Sequence, residues 1–237
     1  MEFVFTPPAP VAVPVAGSTQ YFPVRRIFCV GRNYAEHARE MGADAQADGR
    51  EPPFFFSKPV DALVSGLGPL VVVYPLATTN LHHEVEMVVA LAAGGERLTV
   101  DAAGKAIFGC AVGLDLTRRD LQAAAKAKGH PWDMGKGFDQ SVVCGPLQPI
   151  AQCAALDQGR IWLSLGGQLR QQGDLAQMTW SVTEVISQLS MLVALAPGDL
   201  ILTGTPAGVG PLLPGDVLTA GVAGLPELQV EIQPRPL

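Results

Sequence analysis

The chain has 237 residues, which suits one domain of generous size, and only 16% are charged against a usual share of about 25%. Its net charge is −6, with lysines and arginines scattered rather than clustered, which argues against a nucleic-acid or other polyanionic partner. No apolar run approaches the roughly 20 residues that span a bilayer, so a membrane helix is not expected.

Along the chain, MEFVFTPPAPVAVPVAG lacks a basic n-region and is broken by prolines, which makes it a poor signal peptide. Residues 1–22 read as an extended lead-in to a single domain over 23–237. Arg25–Gly31 (RRIFCVG) is a strand and Asn33–Met41 a short helix, followed by a loop, GADAQADGREPP. FFFSKP, ALVSG and PLVVVYP are short strands parted by Gly and Pro, and another strand starts at His82. Ile107–Thr117 is a strand leading into the helix RRDLQAAAKAKG, which Thr117 is placed to cap and Gly129 to close. IWLSLGGQLRQQ is a hairpin about Gly166 and Gly167, and Trp180–Leu195 is the one long amphipathic helix. PGDLILTG, PGDVLTAGV and ELQVEI supply further strands. With strands dominant and no regular βαβ alternation, the expected class is α+β, β-rich: a mixed β-sandwich roll with few short helices.

Cys29, Cys110, Cys144 and Cys153 show no metal-binding spacing and have small or apolar neighbours, as reduced thiols of a cytoplasmic protein do. The low charged share suggests a surface buried against a second copy, so a homodimer is expected.

The stretch LHHEVEMVVAL places two glutamates in a run built to fill a core. On a strand, Glu84 and Glu86 share a face about 6.6 Å apart and can converge on one point. Two buried like charges repel unless a cation lies between them or one takes a proton. Asp115, at the end of GCAVGLD, is a third acid in apolar company. Three such carboxylates would offer hard oxygen ligands to Mg²⁺ or Mn²⁺ and leave positions open for water or substrate. Blander readings stand beside this one. An E-x-E pair also suits a solvated strand face, and Asp115 could cap a helix. His82 and His83 point to opposite faces, so at most one joins the acids. His37 and Glu40, three apart on a helix, fit either a proton-transfer pair or an ordinary surface helix.

Taken in order, GRNYAEHARE, FSKP, LHHEVE, GLDLTRRDLQ, PWDMGKGFDQS and DLILTGTPAGVG resemble the fumarylacetoacetate hydrolase superfamily. The likeness runs from about Arg25 to the C-terminus. It is closest to the short acylpyruvate hydrolases, in particular the fumarylpyruvate hydrolases of bacterial gentisate breakdown. The resemblance implies a β-roll, a homodimer, and Mg²⁺ or Mn²⁺ held by Glu84, Glu86 and Asp115. It implies a His37–Glu40 pair over the site, with Lys136 beside it. Arg119 and Gln122 could face the same cavity, Arg119 gripping a carboxylate of the substrate or pairing with a nearby acid. The loop Thr203–Gly210 lacks nucleotide-binding spacing; the resemblance has its backbone and Thr205 receive a carboxylate.

The activity so implied is hydrolysis of the C3–C4 bond of a 2,4-dioxo acid, fumarylpyruvate above all. Alternatives are oxaloacetate decarboxylation or dienoate isomerisation and, in another class, a non-catalytic metal-stabilised binding protein.

Overall fold

The computed structural model describes residues 2–42 and 50–236; most of the expected loop after Met41, residues 43–49, lies outside the described residues. The β-rich α+β architecture is as expected. An eight-stranded sheet runs Phe54–Lys58, Arg26–Gly31, Asp199–Leu202, Val85–Leu91, Ile107–Asp115, Val142–Cys144 and Leu63–Ser65, with Gln148–Pro149 added beside Ile107–Asp115. A five-stranded sheet runs Gln168–Asp174, Arg160–Leu165, Val217–Val222, Leu228–Gln233 and Leu70–Val73. Thr117–Arg118, Leu81–His83 and Gly210–Leu212 form a small third sheet.

The central strands of the large sheet are buried on both faces, which is why they read as continuous apolar runs. Val85, Met87, Val89 and Leu91 point into a core shared with Ile161, Leu163, Leu218, Val230 and Ile232 of the five-stranded sheet. Val88 and Ala90 point the other way, into a second cluster with Ile27, Cys29, Ala111, Leu200 and Leu202. That second face is covered by an N-terminal hairpin, Ala12–Pro14 paired with Tyr21–Pro23, which contributes Val13, Val15 and Phe22. Burying each Val, Leu, Ile, Met or Phe side chain among these is worth about 1.5–3 kcal/mol relative to exposure.

Two local expectations are corrected. The helix predicted over Trp180–Leu195 spans only Val182–Ser190, no longer than Arg119–Ala127. It starts at a capping box between Ser181 and Glu184 and buries Val182, Val185, Ile186 and Leu189. It stops because Leu195 pairs both its backbone N–H and C=O with Gly95, an arrangement that a continued helix cannot provide. Thr117 does not cap the Arg119–Ala127 helix, because its own backbone is paired with His82 in a strand. A helix at Val100–Lys105, capped by Thr99, was not anticipated. The hairpin turn at Gly166 and Gly167 has φ of +55° and +79°, as a two-residue turn between twisted strands requires. Among the described residues no helix is long and apolar enough to cross a membrane.

Candidate metal centre

The position of the acids follows from strand parity. Glu86 shares parity with Val88 and Ala90, and Asp115 with Ala111 and Gly113, so both belong to the face of the second cluster. Glu86 lies opposite Gly113 in the antiparallel register. Glu84 sits where the chain leaves the small sheet at His83 and enters the large one at Val85. Its carbonyl accepts the Asp115 N–H at 2.9 Å, which locks the two acid positions together. All three side chains are buried, and one oxygen from each lies within 4.8 Å of the others.

Three cations face these acids. Lys136 Nζ donates to Glu84 Oε2 at 2.8 Å and to Asp115 Oδ2 at 2.7 Å. Arg119 pairs with Glu84 Oε1 and donates to Gln122 Oε1 at 2.6 Å. Lys58, fully buried, places Nζ 2.7 Å from Asp115 Oδ1. Its hydrogens go instead to the carbonyls of Leu116 (3.0 Å), Ser141 (3.1 Å) and Lys136. Asp115 Oδ1 is therefore buried beside a charge but accepts no hydrogen bond.

The electrostatics separate the carboxyls. Burial tends to raise the Glu84 pKa, but the charges of Lys136 and Arg119 outweigh it and hold the group well below the carboxylate range. Burial, aided by the neighbouring Asp115 and Glu84, drives Glu86 well above that range. Burial would lower Lys136, but Asp115 and Glu84 together raise it. Glu86 has no cation of its own, only the Gly204 N–H at 2.6 Å. Gly204 holds φ +98°, and a Cβ there would lie 2.7 Å from the Asn33 Cβ, so the turn that delivers this N–H needs glycine.

An acceptor-only oxygen with no donor and a carboxylate pushed toward protonation both mark a place fitted for added positive charge. The donors are hard oxygens throughout, which suits Mg²⁺ or Mn²⁺. Neither histidine of the pair joins the set. His83 is tied through Nδ1 to Gln171 at 2.8 Å, and His82 through Nε2 to Asn80 at 2.9 Å. Burial, helped by Arg119, holds the His82 pKa down at about 4, so its ring is neutral near pH 7.

The cavity over this centre is lined by His37, Arg119, Gln122, Lys136 and Thr205 as well as the three acids. His37 is buried on the short helix Ala35–Glu40, and its Nδ1 is 3.3 Å from Glu40 Oε2. The Glu40 carboxylate also accepts the Gly208 N–H at 3.3–3.4 Å. Lys126 donates to the Met41 carbonyl at 3.1 Å, so the helix is tied at its C-terminal end to two neighbours. Thr205 Oγ1 accepts from Gln171 Nε2 at 2.8 Å. Two N–H groups of the Thr203–Gly210 loop thus receive carboxylates, those of Glu86 and Glu40.

Sequence reasoning missed several participants. Lys58 was read as the end of a strand, although a lysine inside FFFSKP was the available signal. Gln171, which fixes His83, Thr205 and the Val85 N–H together, gave none. The aromatic wall of Phe54, Phe56 and Trp132, with Arg32 in the same cavity lining, was also not anticipated.

Comparison with known proteins shows the family to which the chain belongs. The family model described as fumarylacetoacetate (FAA) hydrolase C-terminal matches residues 26–233. A fumarylpyruvate hydrolase from Ralstonia sp is 41% identical over 184 residues, covering 78% of this chain and 94% of that protein. A mitochondrial oxaloacetate decarboxylase from Dictyostelium discoideum is 40% identical over 202 residues, covering 85% of this chain and 90% of its own length. The crystal structure of fumarylpyruvate hydrolase from Pseudomonas aeruginosa in complex with Mn²⁺ and pyruvate superposes with a TM-score of 0.93 at 45% identity. It covers 99% of this chain and 100% of that one. Motifs, fold and carboxylate centre converge: the chain belongs to the fumarylacetoacetate hydrolase family and is an enzyme of it.

Proposed function

We propose that the enzyme hydrolyses the C3–C4 bond of an acylpyruvate, with fumarylpyruvate, yielding fumarate and pyruvate, as its substrate. The observation that carries this reading is that the carboxylate centre and His37, which Glu40 holds from behind, line one cavity. Glu84, Glu86 and Asp115 would hold Mg²⁺ or Mn²⁺, which when bound supplies Lewis acidity and an anchor for the 2-oxo acid end.

The chain's own residues supply the rest. Glu40 engages His37 Nδ1, so the hydrogen-bond assignment leaves Nε2 as the basic nitrogen, able to take a proton from water. The hydroxide so formed adds to C4, and the C3–C4 electron pair stays with the pyruvate fragment as an enolate. Two hydrogens of Lys136 are committed to Glu84 and Asp115; the third is available to stabilise the enolate oxygen. Protonation at C3 by the imidazolium then completes pyruvate, and the acyl group leaves as its acid. Arg119 and Gln122 brace Glu84 on one wall, and Thr205 stands on another.

The same reading has the enzyme as a cytoplasmic homodimer serving aromatic breakdown by way of gentisate. The Ralstonia and Pseudomonas relatives support the substrate, and the low charged share of the chain supports the dimer. The Dictyostelium relative favours a second reading, oxaloacetate decarboxylation, which needs the same grip on a 2-oxo acid but no attacking water. The test is loss of ultraviolet absorbance of fumarylpyruvate, maleylpyruvate and acetylpyruvate beside an oxaloacetate decarboxylation assay, each with and without chelator. Chelator-sensitive loss of acylpyruvates is expected; turnover of oxaloacetate alone would overturn the hydrolase reading.

A further inference from the structure

The carboxylate centre already holds as many cations as acids, since Lys58, Lys136 and Arg119 pair with Glu84 and Asp115 while Glu86, without a cation of its own, is pushed toward its neutral form. A divalent ion therefore leaves the cavity floor with a surplus of positive charge, more than a single substrate carboxylate cancels. The cavity lining includes two more cations, Arg32 and Lys126. Lys126 is exposed and engaged with the Met41 carbonyl. Arg32 is half-buried and, among the described residues, has neither an ion-pair partner nor a side-chain hydrogen bond. Its guanidinium carbon stands 5.7 Å from the centroid of the Phe54 ring.

The backbone is bent to put Arg32 there. Its φ is +56°, a left-handed conformation unfavourable to a residue with a Cβ. The preceding Gly31 is packed beneath the Phe54 ring, where a Cβ would collide with it. Phe54 and Phe56 meet Trp132 edge-on, at centroid distances of 5.7 and 6.2 Å, and all three line the same cavity as an aromatic wall. A guanidinium with its fork unused, lining the same cavity as three aromatic rings, suits a carboxylate carried on an unsaturated chain.

We infer that Arg32 receives the distal carboxylate of the substrate and sets the enzyme's preference for acylpyruvates whose acyl group ends in an acid. The inference rests on the hydrolase reading above and deepens it. It distinguishes fumarylpyruvate from acetylpyruvate, which shares the pyruvyl end but carries only a methyl group at the other.

The test compares Arg32→Gln and Arg32→Lys with wild type on both substrates. Gln keeps a Cβ and so adds no new backbone demand. Arg32→Gln should lower kcat/KM for fumarylpyruvate about 10–100-fold, mainly through KM, as loss of a charged hydrogen-bonded pair does. Acetylpyruvate turnover should stay within about twofold, which also reports that the variant is folded, and Arg32→Lys should recover part of the fumarylpyruvate loss. Parallel loss on both substrates, or no loss on either, would overturn the assignment. If wild type cleaves neither substrate, the hydrolase reading fails, and calorimetric titration of the Mg²⁺-loaded protein with fumarate and crotonate decides the role of Arg32. Tighter binding of the dianion, abolished by Arg32→Gln, supports that role; equal binding, or no effect of the substitution, rejects it.

Discussion

Lys58 Nζ lies 2.7 Å from Asp115 Oδ1, yet its hydrogens point to three backbone carbonyls. The ammonium thus lends Asp115 its charge while leaving that oxygen's lone pairs unused. Replacing Lys58 with Met would leave Asp115 Oδ1 without its adjacent charge and strand three carbonyls, and should cost about 3–5 kcal/mol in urea unfolding. Saturating Mg²⁺ should restore part of the loss, because an ion answers the carboxylate but not the carbonyls. Absence of any recovery would argue that Asp115 is not a ligand.

Removing metal should abolish turnover and lower stability together. Relative to chelated protein, Mn²⁺ or Mg²⁺ at a hundredfold excess over its Kd should add about 2.7 kcal/mol of unfolding free energy. Glu86→Gln should shrink that increment, since it removes the one acid of the three that lacks a cationic partner. An unchanged melting curve with and without ion would remove these side chains from metal binding.

Substituting His37 with Ala should slow acylpyruvate hydrolysis about 10²–10⁴-fold, the usual contribution of a positioned base. Decarboxylation of oxaloacetate, which needs no attacking water, should fall much less. Glu40→Gln should reduce hydrolysis more mildly and also loosen the tie to Gly208, which hydrogen exchange at that amide would report. Equal losses in the two reactions would deny His37 its role as water base.

A second ion pair supplies a pH prediction away from the site. Hydrogen bonds from Arg50 hold the Glu184 carboxyl at about 2 against the opposing effect of burial, and Ser181 assists. A depressed folded-state pKa contributes stability above the unfolded value of about 4.5, lost as pH falls toward 2. Because Arg50 is largely exposed, screening leaves the pair worth about 1 kcal/mol. The stability gap between wild type and Glu184→Gln should therefore be present at pH 7 and narrow steadily below pH 4.5. A gap independent of pH would assign the effect to packing.

The acids were legible because alternation in a strand is a short-range rule. Glu84, Glu86 and Asp115 violate an otherwise apolar pattern, and only a shared partner makes sense of them. The helix over residues 182–190 was legible in kind but not in length. Its end is set by Gly95, almost a hundred residues away in sequence. Lys58 was not legible, because its acceptors Leu116, Lys136 and Ser141 come together only once the sheets have closed. Gln171 has the same history: it sits in a polar-looking hairpin yet reaches His83 and Thr205 from another sheet. Local pattern names the groups that carry charge; their supports depend on encounters between distant segments.

The Asp115 N–H bond to the Glu84 carbonyl spans the seam where the chain passes from one sheet to the other. Two of the three acids therefore hang from a single peptide-to-peptide link, and the third is pinned by Gly204. The bonds from Lys136, Arg119 and Gly204 to these carboxylates add to that link and limit how far the three can separate. A bulkier ion such as Ca²⁺, with its bonds of about 2.3–2.6 Å, would have to prise the seam open, whereas the smaller Mg²⁺ would not. Under the proposed metal binding, discrimination by ionic radius would be a by-product of how the sheets are joined.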